Sequence, residues 1–128
     1  MNCRIFPGVQ VAEVRETLAG LVGGQVEIKV MGNPTASDAS PLRADVLDAV
    51  SRAVHARHPD VRIAPVQESG ATDGLYLRAA GIPTYGVSGM FIKDSDSFAH
   101  GLNERVPVQS FYDELEYWYR LMKDVGGR

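Results

Sequence analysis

Along the chain, apolar residues recur at helical spacing in some stretches and alternate with polar residues in others. Helical spacing predicts helices over residues 11–22, 42–54 and 111–125, and a shorter helix over 75–80 that Gly81 can close. In the second helix the recurring residues form a stripe that we expect to be buried. That stripe consists of Leu42, Val46, Ala49, Val50, Ala53 and Val54. The last helix carries its apolar residues at four- and three-residue spacing: Phe111, Leu115, Trp118, Met122 and Val125.

Four other stretches have the character of strands. Residues 2–7, 26–30, 61–66 and 82–87 are short, apolar or alternating, and bounded by turn residues. The chain would therefore begin as β-α-β and continue as α-β-α-β-loop-α. This order predicts an α/β fold, with helices packed on a mostly parallel sheet.

A change in composition divides the chain near its first third. Met31 to Ser40 is small, polar and rich in turn residues, and Ser40-Pro41 gives a helix N-cap followed by proline. We therefore predict a first part at residues 1–32, a hinge at 33–41 and a second part at 42–128.

Composition narrows the classes of partner. The chain has 128 residues, 45% of them hydrophobic, and a net charge of −3, as expected for a globular protein with a hydrophobic core. Acidic and basic residues are interspersed and there is no basic tract, so we expect no nucleic acid partner. No apolar run approaches the roughly 20 residues of a membrane-spanning helix, so we expect no membrane partner either. The single cysteine, Cys3, excludes an internal disulfide framework.

Two polar loops follow predicted strands, at the position where α/β sheets bind ligands. The first is residues 68–73, and the second contains His100 within a stretch that also holds an amide, a carboxylate and a guanidinium. A neutral imidazole on a loop can bind zinc or move a proton, although a solvated histidine is the commoner alternative. Thr72 and Asp73 could line a ligand site or simply cap the following helix.

Other residues have a functional and a structural interpretation as well. Arg4 could present its planar guanidinium to a carboxylate, or cover apolar surface with its stem. His55 and His58 could form a metal-binding pair, and Asp94 and Asp96 could form a carboxylate pair. For both pairs, solvated surface side chains are the commoner interpretation.

Several short motifs occur in a fixed order. They are Ser69-Gly70-Ala71-Thr72-Asp73-Gly74, Ala80-Gly81-Ile82-Pro83, His100-Gly101-Leu102-Asn103-Glu104 and an aromatic C-terminal helix, preceded by Asn2-Cys3-Arg4 with Pro7-Gly8. Together they resemble the C-terminal portion of the zinc metallopeptidase and amidohydrolase family of aminoacylase, carboxypeptidase G, acetylornithine deacetylase and succinyl-diaminopimelate desuccinylase. The resemblance covers essentially the whole chain.

The resemblance implies a fold and a reaction. Residues 1–32 would be part of a β-α-β lid, which often dimerises in that family, and 42–128 the C-terminal half of a mostly parallel α/β catalytic domain. The family holds two zinc ions that polarise an amide carbonyl and activate water, while a glutamate acts as general base. Its substrates include N-acyl amino acids and small peptides.

The resemblance also implies roles for individual residues. His100 would be the last zinc ligand, and Arg4 would bind the substrate carboxylate. Gly70 and Thr72 would line the substrate pocket. Asn103 and Glu104 would support the ligand from behind, and Asp73 would be structural.

Most of the family's metal site has no counterpart in this sequence. The first His-x-Asp motif, the bridging aspartate, the catalytic glutamate pair and the remaining ligand are missing. Catalytic zinc normally has three protein ligands, and the matched motifs supply one. We therefore assign no catalytic residue and predict that the chain alone neither binds zinc stably nor hydrolyses amides. It would act on N-acyl amino acids or peptides only when completed by the missing half.

A second hypothesis is a non-catalytic binding or oligomerising module derived from such an enzyme. Arg4 and the 70–73 loop could still hold a carboxylate. Unpaired strand edges in a partial sheet would favour self-association, so we expect a homo-oligomer.

Overall fold

The computed structural model describes residues 1–127, and its regular elements are helices. They are α1 (Val11–Val22), α2 (Ala44–His55), α3 (Gly74–Ala79) and α4 (Val108–Gly126), with one 3-10 turn at Asp94–Asp96. The four helices lie where the apolar spacing predicts them, with small shifts at their ends. None of the described helices is long and apolar enough to span a membrane.

The prediction of an α/β fold is wrong for the described chain. Residues 1–127 contain no strand, so neither the β-α-β lid nor the mostly parallel sheet is present. A strand requires a ladder of backbone hydrogen bonds to a neighbour. Among the described residues, the four predicted strand segments share no backbone hydrogen bond with one another. Alternation determines which side chains a strand would bury, but it does not supply the neighbouring strand.

The chain forms two compact units, each built from two segments. Unit 1 comprises Met1–Pro41 and Pro65–Tyr85, and unit 2 comprises Leu42–Ala64 and the chain from Gly86 onward. These units are defined by contacts rather than by sequence order. The division into residues 1–32, 33–41 and 42–128 stays a prediction.

Unit 2 is built on the packing of α2 against α4. The predicted stripe of α2 is confirmed at Ala49, Val50, Ala53 and Val54, all of which are buried, whereas Leu42 precedes the helix and is exposed. These four residues pack with Tyr117 and Leu121 of α4. The partly buried side chains of Val46, Ile63 and Val87 complete the cluster.

Ion pairs connect the end of α2 with the polar side of α4. The Arg57 guanidinium lies 2.5 Å from Asp113 and 2.7 Å from Glu116, and Arg52 lies 2.8 Å from Asp124. The Arg120 guanidinium, and after it that of Arg57, holds the pKa of Glu116 below its ordinary value of 4.5. Surface pairs of this kind add little stability individually, so they mainly align the two helices that the apolar cluster joins.

Unit 1 has no buried apolar cluster among its described residues, and hydrogen bonds join its segments instead. The Ser40 hydroxyl donates to the Thr84 carbonyl at 2.8 Å and accepts from the Thr84 N–H at 2.8 Å. The Tyr85 hydroxyl donates to the Pro41 carbonyl at 2.7 Å, and the Gly8 N–H donates to the Ser37 carbonyl at 2.9 Å. These bonds bring the chain before α1, the stretch at 34–41 and the segment around α3 together.

Candidate functional site

Unit 1 contains a cavity of about 230 Å³ formed by three segments of the chain. Its wall is mostly apolar, with a few charged and hydroxyl side chains. The lining residues are Cys3, Arg4, Ile5, Phe6, Pro7, Val9, Val11, Pro34, Thr35, Ala36, Ser37, Glu68, Ser69, Gly70, Ala71, Thr72, Leu75 and Arg78. Small-molecule sites combine an apolar wall with a few polar groups in the same way.

Three residues singled out in the sequence meet in this cavity. Arg4 comes from the segment before α1, whereas Gly70 and Thr72 come from the loop before α3. The Arg4 side chain forms no ion pair within residues 1–127. A guanidinium without a carboxylate partner, at the wall of a cavity, is available to an anionic ligand.

The structural alternative for the loop before α3 is that Thr72 and Asp73 only cap that helix. Asp73 occupies the N-cap position, but its side chain makes no capping hydrogen bond. The Thr72 hydroxyl forms no hydrogen bond within the part of the chain that the structure describes. The backbone alone begins the helix, since the Thr72 carbonyl accepts from the Leu75 N–H at 3.2 Å.

Arg78 also lines the cavity, and the sequence reasoning missed it. Arg78 lies one turn after Gly74 on the same face of α3, and that spacing was the available signal. Its guanidinium lies over Gly74, because Nη1 is 3.1 Å from the point that a Cβ at Gly74 would occupy. The Thr72 Oγ1 atom and the Thr84 Cγ2 atom each lie 3.1 Å from the same point, so the guanidinium and the hydroxyl both border Gly74.

His100 lies in unit 2, on a compact turn with an unusual backbone. Its φ is 63°, and no other non-glycine residue in 1–127 has a positive φ. The turn is closed by the Gly101 N–H, which donates to the Phe98 carbonyl at 2.8 Å. Left-handed backbone at a non-glycine residue is strained, and such strain concentrates at functional sites.

Arg105 holds this turn from its C-terminal side. Its guanidinium lies 2.7 Å from the Asp96 carboxylate and 4.5 Å from the centre of the Phe98 ring. The side chains of Asn103 and Glu104, between Arg105 and the turn, are exposed and form no hydrogen bond among the described residues. Their supporting role stays a prediction.

The residues present do not by themselves fit a zinc site. Across residues 1–127, no group of three or more His, Cys, Asp or Glu side chains could hold a metal ion. The His55 ring is hydrogen-bonded to the Val61 carbonyl at 2.9 Å. The His58 ring contacts the Phe91 ring, with centroids 4.2 Å apart and planes tilted by 41°. The Asp96 carboxylate is paired with Arg105. His55, His58 and Asp96 thus each have a contact outside the pair in which the sequence places them.

Comparison with known proteins places these residues in a family context. Residues 3–124 match the family described as peptidase family M20/M25/M40. The match includes the cavity of unit 1 and the turn that carries His100. No curated protein and no solved structure matches the chain. Because the match spans nearly all of its length, the chain belongs to peptidase family M20/M25/M40.

Proposed function

We propose that the chain corresponds to the C-terminal part of a zinc-dependent exopeptidase or amidohydrolase of the aminoacylase, carboxypeptidase G and desuccinylase type. The substrates would be N-acyl amino acids or small peptides, cleaved at an amide bond. The family match supports the peptidase relationship. The observation that carries the proposal is the meeting of Arg4, Gly70 and Thr72 at one cavity, because the motifs assign all three to substrate binding.

Each of the three residues suits a different part of such a substrate. The planar guanidinium of Arg4 matches a carboxylate in geometry and charge. Gly70 lets a ligand approach the backbone closely, since nothing lies within 4 Å of where its Cβ would be. The free hydroxyl of Thr72 can donate to, or accept from, an amide or carboxylate.

His100 is proposed as a zinc ligand that is incomplete within this chain. Its left-handed backbone shapes the turn that presents the ring, and Arg105 contacts Asp96 and Phe98 beside that turn. Catalytic zinc takes three protein ligands, and His100 supplies one. The remaining ligands would come from a polypeptide that carries the family's His-x-Asp motif, so we expect neither stable zinc binding nor hydrolysis by the chain alone.

The test is hydrolysis of N-acetyl-methionine and of dipeptides in the presence of zinc. The chain would be assayed alone and then with a separately produced N-terminal half of a complete family enzyme. We expect no turnover alone, turnover with the added half, and its loss in His100→Ala. His55→Gln is the matched control, because a glutamine can keep the bond to the Val61 carbonyl.

Two outcomes would overturn this proposal. Turnover by the chain alone that disappears in His100→Ala would mean that the site is complete without a second half. Failure of the added half to restore turnover, with both halves folded, would favour the alternative of a non-catalytic binding or oligomerising module. Exposed apolar side chains on α4 favour that alternative, and a second copy of the chain is its proposed partner.

A further inference from the structure

The cavity of unit 1 has more positive charge at its wall than the motifs account for. Arg4 and Arg78 both line it, together with one carboxylate, Glu68. Among residues 1–127, neither arginine takes part in an ion pair. Two guanidiniums and one carboxylate leave one net positive charge, which a single ligand carboxylate would neutralise.

Arg78 is held in place without using up its hydrogen-bonding capacity. Its Nε donates to the Ser37 hydroxyl at 3.3 Å, and the Ser37 carbonyl in turn accepts from the Gly8 N–H. The other N–H donors of the guanidinium have no partner among the described residues. Nη1 and the Thr72 hydroxyl oxygen each lie 3.1 Å from the position that a Cβ at Gly74 would occupy, so any side chain there would crowd both groups. The side chain is therefore oriented before a ligand arrives, which lowers the entropy lost on binding.

The rest of the wall indicates what the carboxylate is attached to. Apolar side chains predominate, among them Phe6, Val9 and Leu75. The cavity is smaller than the roughly 300–1,000 Å³ typical of sites for drug-sized ligands. A second carboxylate on the ligand would have to share the cavity with Glu68, which disfavours a dicarboxylate.

We propose that Arg78 is a second carboxylate-binding residue of this cavity. With Arg4 and Thr72 it would bind a small monocarboxylate with an aliphatic substituent, such as an N-acetylated aliphatic amino acid. The choice of an N-acyl amino acid rests on the proposed function, whereas the anion site rests on the cavity alone. No metal takes part in this binding.

The test is calorimetric titration of the full chain, without added metal, with N-acetyl-leucine. We expect binding that weakens by at least about tenfold in Arg78→Gln, the size expected when charge-assisted hydrogen bonds are lost. Arg62→Gln, which removes an exposed arginine of unit 2, should leave the affinity unchanged. N-acetyl-leucine amide, which lacks the carboxylate, and N-acetyl-glutamate, which carries two, should both bind more weakly.

Gly74→Ala tests Arg78 together with Thr72 while keeping every charge. Its Cβ would lie 3.1 Å from Nη1 of Arg78, from Oγ1 of Thr72 and from Cγ2 of Thr84. A shift of the guanidinium or of the hydroxyl would disturb the carboxylate site, so we expect weaker binding by a chain whose helical circular dichroism is retained. If Arg78→Gln does not fold, unchanged affinity in Gly74→Ala would count against the carboxylate site at Arg78 and Thr72, and weaker binding would support it. Full affinity in Gly74→Ala together with full affinity in Arg78→Gln would assign Arg78 to a purely structural bond with Ser37.

Other outcomes separate this inference from the proposed function. No binding of N-acetyl-leucine by the folded chain, equal binding of its amide, or tighter binding of N-acetyl-glutamate would overturn the inference. Binding as described, without hydrolysis when the N-terminal half is added, would contradict the proposed function and leave the anion site standing. Restored hydrolysis together with unchanged affinity in Arg78→Gln would support the proposed function and overturn the inference about Arg78.

Discussion

Replacing Tyr117 by phenylalanine should make the protein more stable. The side chain is 2% exposed, and its hydroxyl is buried without a hydrogen-bond partner among the described residues. An unsatisfied buried polar group costs about 1–3 kcal/mol. Phenylalanine removes that group and keeps the ring, which packs against Gly89 and lies 5.6 Å from the Trp118 ring. We therefore expect the free energy of unfolding to rise by about 1 kcal/mol, the lower end of that range.

The same burial makes the stability depend on alkaline pH. Burial, and after it the neighbouring Glu114 carboxylate, raises the pKa of Tyr117 above its ordinary value of 10.0. The folded state then keeps a proton that the unfolded state releases. As the pH rises through 10, the unfolded state is therefore favoured, and stability falls until the folded tyrosine also ionises. Tyr117→Phe cannot ionise, so its advantage over the wild type should grow in this range.

Urea unfolding followed by circular dichroism, at pH 7 and pH 10.5, measures both effects. Tyr119→Phe is the matched control, because that tyrosine lies on the same helix and is 67% exposed. The control should change stability little at either pH. A Tyr117→Phe variant less stable than the wild type at pH 7 would mean that the hydroxyl has a partner. Equal losses of stability at pH 10.5 in wild type and variant would refute the pKa argument.

Two further predictions concern unit 2. In Gly89→Ala the new Cβ would clash with the Tyr117 ring, so we expect the free energy of unfolding in urea to fall by about 1–3 kcal/mol. Gly86→Ala, with nothing within 4 Å of its Cβ, should be tolerated, and equal stabilities of the two variants would contradict this. Leu115 is 55% exposed on α4, and Leu115→Glu should reduce self-association in a concentration series of light scattering. A wild-type chain that stays monomeric at high concentration would rule out the proposed homo-oligomer.

Periodicity predicted where the helices lie better than which side of each is buried. On α2 the apolar stripe and the buried residues coincide. On α4 the stripe that predicts the helix lies largely in water, with Phe111 52% and Met122 69% exposed, while Tyr117 and Leu121 face α2. A helix as rich in aromatic residues as α4 offers more than one apolar face. The face that packs depends on the neighbouring helix, which periodicity alone does not reveal.

The strands were mispredicted for a related reason. Residues 26–30 alternate between apolar and polar side chains, as a half-buried strand does. Alternation describes a single segment, whereas a sheet also requires a second segment that pairs with it. The site shows the same limit, because motif order led to Arg4, Gly70 and Thr72, which meet in the cavity, but not to Arg78. Arg78 belongs to no recognisable loop motif. Its spacing from Gly74 was a signal in the sequence, but its place at the cavity also depends on the hydrogen bond to Ser37, which only the structure reveals.

Binding and metal chemistry can be examined separately in this chain. Arg4, Thr72 and Arg78 lie in unit 1, whereas His100 lies in unit 2. The missing metal ligands are therefore not needed to form the cavity wall. A chain that cannot hydrolyse an amide substrate can still bind the carboxylate of that substrate. If affinity for N-acetyl-leucine depends on Arg78 while hydrolysis requires both His100 and an added half, the two proposals stand on independent evidence. If affinity itself required zinc, carboxylate recognition could not be a property of the cavity alone, and the anion site in unit 1 would have to be abandoned.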